Sequence, residues 1–288
     1  MLGSAPIETT HPESKPGLRR GFSILPSLFT VGTLICGYYA ILSALEASRL
    51  VSAPGAGGLA ALAFDNAAKA IGIAIVFDGL DGRIARLTNS ASNFGREFDS
   101  LADVITFGVA PAMLAYTWGV RAVMASAAPS MAVHLQQAGW IITFTFVICG
   151  AARLARFNIE TGKPAGDRRF FVGLPIPAAA GVIAAIVHWE KTPLDSWAAA
   201  IVWLALSLLL AFLMVSRLRY YSFKAIDLQR RRPYVTIIFI GVLAWAIVLY
   251  SETVLLTLAL TYLLSGLVLR AIAKIRPSHP SSEEVHAS

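Results

Sequence analysis

Four aspartates carry the chemistry that this sequence offers most plainly. They stand in Asp78-Gly79-Leu80-Asp81-Gly82-Arg83-Ile84-Ala85-Arg86 and, eight residues further on, in Gly95-Arg96-Glu97-Phe98-Asp99-Ser100-Leu101-Ala102-Asp103. Asp78 and Asp81 are spaced i, i+3 and Asp99 and Asp103 i, i+4, so each pair shares one face of a helix. If the two helices run antiparallel, those faces meet. Carboxylates crowded in this way repel one another and resist desolvation, and they stay ionised only with cations between them. An all-oxygen donor set is hard and favours magnesium, manganese or calcium. Gly82 and Ala85, one turn apart, remove bulk beside the acidic face and open the backbone to a flat ligand; close helix packing would use the same pair equally well. Arg86 either pairs with a phosphate or follows the charge bias of membrane-protein loops.

The elements that must hold these residues are membrane helices. The chain has 288 residues, 56% hydrophobic and 14% charged, with a mean hydropathy of +0.65. Soluble domains average roughly 45–50% apolar and about 25% charged, so soluble function classes are excluded. Runs of about 20 apolar residues, enough to cross a bilayer, recur eight times. They lie near Ile24–Leu45, Leu59–Phe77, Leu101–Trp118, Ala138–Cys149, Val172–Trp189, Trp197–Val215, Tyr234–Tyr250 and Val254–Leu269. The expected fold is an all-α, polytopic integral membrane helical bundle with about eight transmembrane helices. A polar juxtamembrane segment (1–23) precedes the transmembrane domain (24–272), and a solvated tail (273–288) follows.

Charge assigns the sides. Of 24 Lys and Arg residues, only Arg49, Arg121 and Lys191 fall in the loops of one side and Lys69 within a span. The rest alternate onto the other side, which the positive-inside rule makes cytoplasmic. Both termini and the aspartates belong there. The net charge of +7 is thereby a matter of topology, and no continuous basic stripe marks a nucleic-acid partner. Pro6, Pro12 and Pro16 without an apolar core argue against a removable signal peptide. Cys36 and Cys149 lie in apolar runs and read as packing residues. Lys69 is expected to snorkel towards the far interface, Trp118, Trp189 and Trp197 to sit in interfacial belts, and the histidines to form no ligand cluster.

The full pattern, D-x2-D-G-x2-A-R-x8-G-x3-D-x3-D from Asp78 to Asp103, resembles the signature of the CDP-alcohol phosphatidyltransferase family, with every defining position filled. The resemblance implies that Asp78, Asp81, Asp99 and Asp103 hold two divalent cations, Mg2+ or Mn2+, which grip the pyrophosphate of a CDP-linked lipid. It further implies that Asp103 is the general base and that Gly82 and Ala85 line a cytidine pocket, with Arg86 and Gly95 beside the nucleotide and lipid headgroup. Three further stretches, Arg153-Leu154-Ala155-Arg156-Phe157-Asn158, Phe171–Ala178 and Leu213–Ser216 with Tyr221–Lys224, are similar to the phosphatidylserine-forming branch. That likeness implies CDP-diacylglycerol as donor, L-serine as acceptor, membrane lipid as surroundings and a homodimer.

A serine acceptor carries a carboxylate, for which Arg153 or Arg156 offers a planar bidentate fork. Both arginines also satisfy the positive-inside bias, and Asn158 serves equally as a polar contact or a helix cap. Glycerol 3-phosphate or inositol phosphate is the alternative acceptor and would call for more cations. A prenyltransferase would place its acidic motifs farther apart, and a transporter would break no bond. Gly173, Pro175 and Pro177 are expected to bend the fifth helix and free backbone groups for water or ligand. The branch usually has asparagines where this chain has Ser27 and Thr33.

Overall fold

The computed structural model describes residues 24–87, 93–124, 129–160, 170–221 and 233–275. The segment 1–23 and most of the tail 273–288 lie outside these. Each expected apolar run is helical, the fifth only from Ile176 onward. In chain order the helices are α1 (Ile24–Leu50), α2 (Gly57–Leu87), α3 (Asn93–Met124), α4 (Pro129–Glu160), α5 (Ile176–Glu190), α6 (Trp197–Val215) and α7 (Pro233–Ile275). Among the described residues, six helices are long and apolar enough to cross a membrane, and α5 is shorter. The last two expected spans are two helices that meet at a kink at Tyr250 (φ −135°, ψ 47°), and α7 denotes the pair.

Small residues set the packing. Ala40, Ala44 and Ala47 on α1 and Ala67 and Ala74 on α2 are all fully buried, and the two helices pack along their length. In lipid, helix association relies on close van der Waals contact, which small side chains permit. At Gly37 the approach is closest: a Cβ there would stand 2.4 Å from Thr106 Oγ1 on α3. Thr106 in turn donates to the Thr33 carbonyl at 3.1 Å, and Thr33 donates to the Phe29 carbonyl at 3.1 Å. The departure at Thr33 is thus part of the α1–α3 seam. Ser27 lies on α1, its side chain outside the described residues.

Helix α3 is not uniform. It winds as a π-helix over Val104–Val109 and again over Thr117–Arg121. Pro111 lies in the first turn of the intervening α segment and has no N–H to give to the ladder, so the regular bonding cannot run through it. The first wide stretch begins immediately after Asp103. Trp118, expected at an interface, is instead 2% exposed and meets Trp203 of α6 edge to face, with ring centroids 4.9 Å apart. Gly119 makes the room, since a Cβ there would lie 2.1 Å from the Trp203 ring. Trp189 and Trp197 are exposed, as belt residues are.

The fifth span differs from expectation at its start. Residues Phe170–Val172 form a short strand, β1, paired antiparallel with β2 (Arg219–Tyr221). Gly173 then takes a positive φ of 83°, where its missing side chain is required: a Cβ would stand 2.3 Å from the Met214 carbonyl oxygen. Pro175 is the N-cap of α5 and Pro177 lies in its first turn. These residues therefore start a helix instead of bending one. The freed backbone groups are used internally, Gly173 N–H donating to Leu218 at 2.7 Å and Leu174 N–H to Leu213 at 3.0 Å.

A polar network that the sequence reading missed ties three helices together. Asp65 of α2 is 4% exposed and bonds His188 Nδ1 of α5 through Oδ1 and Lys69 at 2.7 Å through Oδ2. The other ring nitrogen of His188 lies 2.9 Å from Ser251 Oγ, beside the break in α7, and Lys191 pairs with Glu252. Lys69 thus has a buried carboxylate as its partner, one turn away on its own helix.

Candidate active site

The acidic constellation sits where α2 and α3 end and begin. These helices bring Asp78, Asp99 and Asp103 together, one carboxylate oxygen from each lying within 4.8 Å of the others. The i, i+4 spacing on α3 puts Asp99 and Asp103 on one face, and Asp78 approaches from α2. Asp81 falls outside that 4.8 Å group but within electrostatic range of Asp103. Its carboxylate is buried and accepts a hydrogen bond from Thr30 of α1.

The three carboxylates face a cavity of about 390 Å³. Gly79 and Gly82 of α2 form one wall, and nothing stands within 4 Å of where a Cβ would be at either, so this stretch of helix is open to a ligand. Arg96 and Ser100 of α3, Arg153, Phe157 and Asn158 of α4, and Pro175 and Pro177 of α5 complete the lining. Asn158 donates to Ser100 Oγ at 2.9 Å, a bond that joins α4 to the acidic helix. Of the residues expected at the site, Arg156 and Gly95 do not line the cavity. Ala85 and Arg86 lie on α2 with side chains outside the described residues.

Two buried polar atoms at this cavity lack hydrogen-bond partners among the described residues: Asp103 Oδ1 and Arg153 Nε. Buried acceptors are almost always satisfied, and a bare carboxylate oxygen in a low-dielectric setting is costly. Three hard oxygen donors, one of them with an unused buried atom, suit a divalent cation of the magnesium, manganese or calcium type. Arg153 suits an anionic group lying in the cavity. Arg96, Ser100 and the two prolines were missed as lining residues. Arg96 and Ser100 fall inside the signature at positions that it leaves open, and the prolines reach the cavity only because the α5 entry folds back.

Comparison with known proteins supplies the context for this geometry. The profile of the CDP-alcohol phosphatidyltransferase family matches residues 23–211, from α1 into the last turns of α6. The chain belongs to the CDP-alcohol phosphatidyltransferase family. This family is divalent-metal dependent. The chain is 35% identical over 224 residues to a CDP-diacylglycerol--serine O-phosphatidyltransferase of Helicobacter pylori, which covers 76% of this chain and 80% of that one. It is 34% identical over 202 residues to the enzyme of the same name from Bacillus subtilis, covering 69% of this chain and 91% of the relative. For the Mycobacterium leprae relative of that name the identity is 32% over 259 residues, 87% of this chain and 76% of the other.

Proposed function

We propose that this membrane transferase moves a phosphatidyl group from CDP-diacylglycerol to the hydroxyl of L-serine and releases CMP. The observation that carries the reading is the convergence of Asp78, Asp99 and Asp103 on a cavity that also holds Arg153, in a chain whose relatives bear the serine enzyme's name over most of their length.

Asp78, Asp81, Asp99 and Asp103 would hold the cations, two Mg2+ or Mn2+, and Asp81 also accepts a hydrogen bond from Thr30. Divalent ions bound there would neutralise charge developing on the pyrophosphate oxygens and align donor with acceptor. The open backbone at Gly79 and Gly82 admits the nucleotide, with Ala85 as a further residue of the cytidine pocket. Asp103 takes the proton of the serine hydroxyl as that oxygen bonds to the phosphatidyl phosphorus, while the bond from this phosphorus to the oxygen it shares with CMP breaks. Arg153 receives the serine carboxylate, and the Asn158–Ser100 bond holds α4 against α3 at that side. The acyl chains remain in lipid, since drawing them into water costs about 0.8 kcal/mol per CH₂.

The transferase unit extends over 24–272. Its charge bias puts the site and both termini on the cytoplasmic side, and the protein works as a homodimer. A second reading keeps the chemistry and changes the alcohol to glycerol 3-phosphate or inositol phosphate. Arg96 favours it, because it gives the cavity a second cation for a phosphate dianion.

An acceptor panel decides between them. Purified protein given CDP-diacylglycerol and Mg2+ or Mn2+ is expected to release CMP with serine and to form phosphatidylserine. CMP release with a phosphorylated alcohol and none with serine would overturn the assignment.

A further inference from the structure

Ser100 stands between two of the acidic residues, directly after Asp99 and one turn before Asp103. The signature leaves this position open, so the shared motif asks for no hydroxyl there. In the structure that hydroxyl is used twice. It donates to the Arg96 carbonyl, one turn back on α3, at 2.9 Å, and it accepts from the side-chain amide of Asn158 on α4 at 2.9 Å. A serine hydroxyl has a single hydrogen to give. With that hydrogen directed to α3, Ser100 meets Asn158 as an acceptor, and the two bonds together fix which end of the Asn158 amide faces α3.

Both residues line the cavity. On α4, Asn158 shares its cavity-lining face with Arg153, Leu154 and Phe157, at the i, i+1, i+4, i+5 spacing of one side of a helix. The Asn158–Ser100 bond therefore joins two walls of the site that are 58 positions apart in the chain: α3 with Asp99 and Asp103, and α4 with Arg153.

We infer that Ser100 is a positioning residue for the acceptor: by accepting from Asn158 it fixes the separation between the acidic face of α3 and the Arg153 face of α4, and so sets affinity for an alcohol that must reach both. The argument is one of span. An acceptor whose hydroxyl lies at Asp103 while its carboxylate lies at Arg153 bridges the two helices, and a molecule as short as an amino acid tolerates little change in that gap. The nucleotide end of the donor meets the open backbone of α2, to which this bond makes no connection. The inference rests on the proposed roles of Asp103 and Arg153.

The test is steady-state kinetics of full-length Ser100→Ala in lipid vesicles, with Ser100→Thr, Asn158→Ala and the double variant Ser100→Ala/Asn158→Ala beside it. Alanine is the stronger helix former, so Ser100→Ala keeps α3 helical. Loss of the interhelical bond is expected to raise the KM for serine about two- to tenfold, the size of one hydrogen bond, while the KM for CDP-diacylglycerol and the activating Mg2+ or Mn2+ titration hold. Ser100→Thr keeps a hydroxyl able to make both bonds and should restore the serine KM. The double variant should be no worse than Asn158→Ala, since either change breaks the same bond. An unchanged serine KM in Ser100→Ala, an equal rise in both KM values, a shifted metal titration, Ser100→Thr matching Ser100→Ala, or additive effects in the double variant would overturn the inference. Wild-type protein that releases no CMP with serine fails the serine assignment alone. The variants are then scored on the KM of whichever alcohol the panel identifies, with the same outcomes.

Discussion

Helix α2 carries two acidic centres, one buried and one half-buried, and they are built on opposite terms. Asp65 and Asp78 are thirteen positions apart on it, about 20 Å of helical rise. At Asp65 both carboxylate oxygens are bonded, one to His188 and one to Lys69, and the chain of contacts continues to Ser251. At the other centre three carboxylates crowd within 4.8 Å, and Asp103 keeps a buried oxygen with no hydrogen-bond partner among the described residues. Burial of charge in both places is expensive. Where every atom is satisfied, the cost is met inside the protein and the cluster acts as a tie between helices. Where like charges meet and an acceptor is left over, something from outside must complete the set. The contrast separates architecture from chemistry more sharply than residue type does, since an Asp–His–Ser chain is the more catalytic-looking of the two.

Substitutions sharpen that contrast, beginning with the largest effect. Asp103→Asn should lower turnover about 10²- to 10⁴-fold, the range for losing a general base, with melting temperature retained. A near-wild-type rate of CMP release across pH would remove Asp103 from that role. Asp78→Ala and Asp99→Ala should each lose at least about tenfold in turnover and shift the activating Mg2+ or Mn2+ titration to higher concentration. Metal titrations that superimpose on wild type would dissociate the acidic group from the cations. Arg153→Ala is expected to raise the serine KM about tenfold or more, while the CDP-diacylglycerol KM holds; equal changes in the two would make Arg153 a general structural residue.

The Asp65 centre predicts the reverse profile. His188→Ala leaves Asp65 and Ser251 short of a partner and should destabilise the protein by about 1–3 kcal/mol, read as a lower melting temperature in detergent. Turnover per folded molecule should be preserved, and a loss comparable to that of Asp103→Asn with the fold intact would erase the distinction drawn here. The smallest effect belongs to Lys191→Gln. The hydrogen bond from Lys191 to Glu252 raises the pKa of the ammonium, so any contribution of this exposed pair is in place at neutral pH and is lost as pH rises through that raised value. Wild type and Lys191→Gln should therefore melt close together at neutral pH and converge fully at strongly alkaline pH.

Much of the site was legible because it is local. Asp78 on α2 and Asp99 and Asp103 on α3 lie within one helical hairpin, and helical spacing alone puts the α3 pair on a common face. The apolar runs were equally plain, since bilayer thickness imposes their length. Asp65, Lys69 and His188 escaped because they are joined across 123 positions by a contact between α2 and α5. No local spacing announces such a bond. The entry to α5 was misread as a bent helix for a related reason. Gly173 and Pro175 are compatible with either a kink or a start, and only the distant strand Arg219–Tyr221 selects the latter by taking up the free backbone groups.

The chain by itself determined the membrane class, the helical runs and the pairing of carboxylates on adjacent helices, because hydropathy and helical period act over a few turns. The tertiary structure decided which carboxylates share a cavity, that Asp81 turns to Thr30, and that the prolines before α5 join the site. Those outcomes depend on which helices press together at Gly37 and Gly119, and close approach between remote segments is a property of packing that no stretch of sequence contains alone.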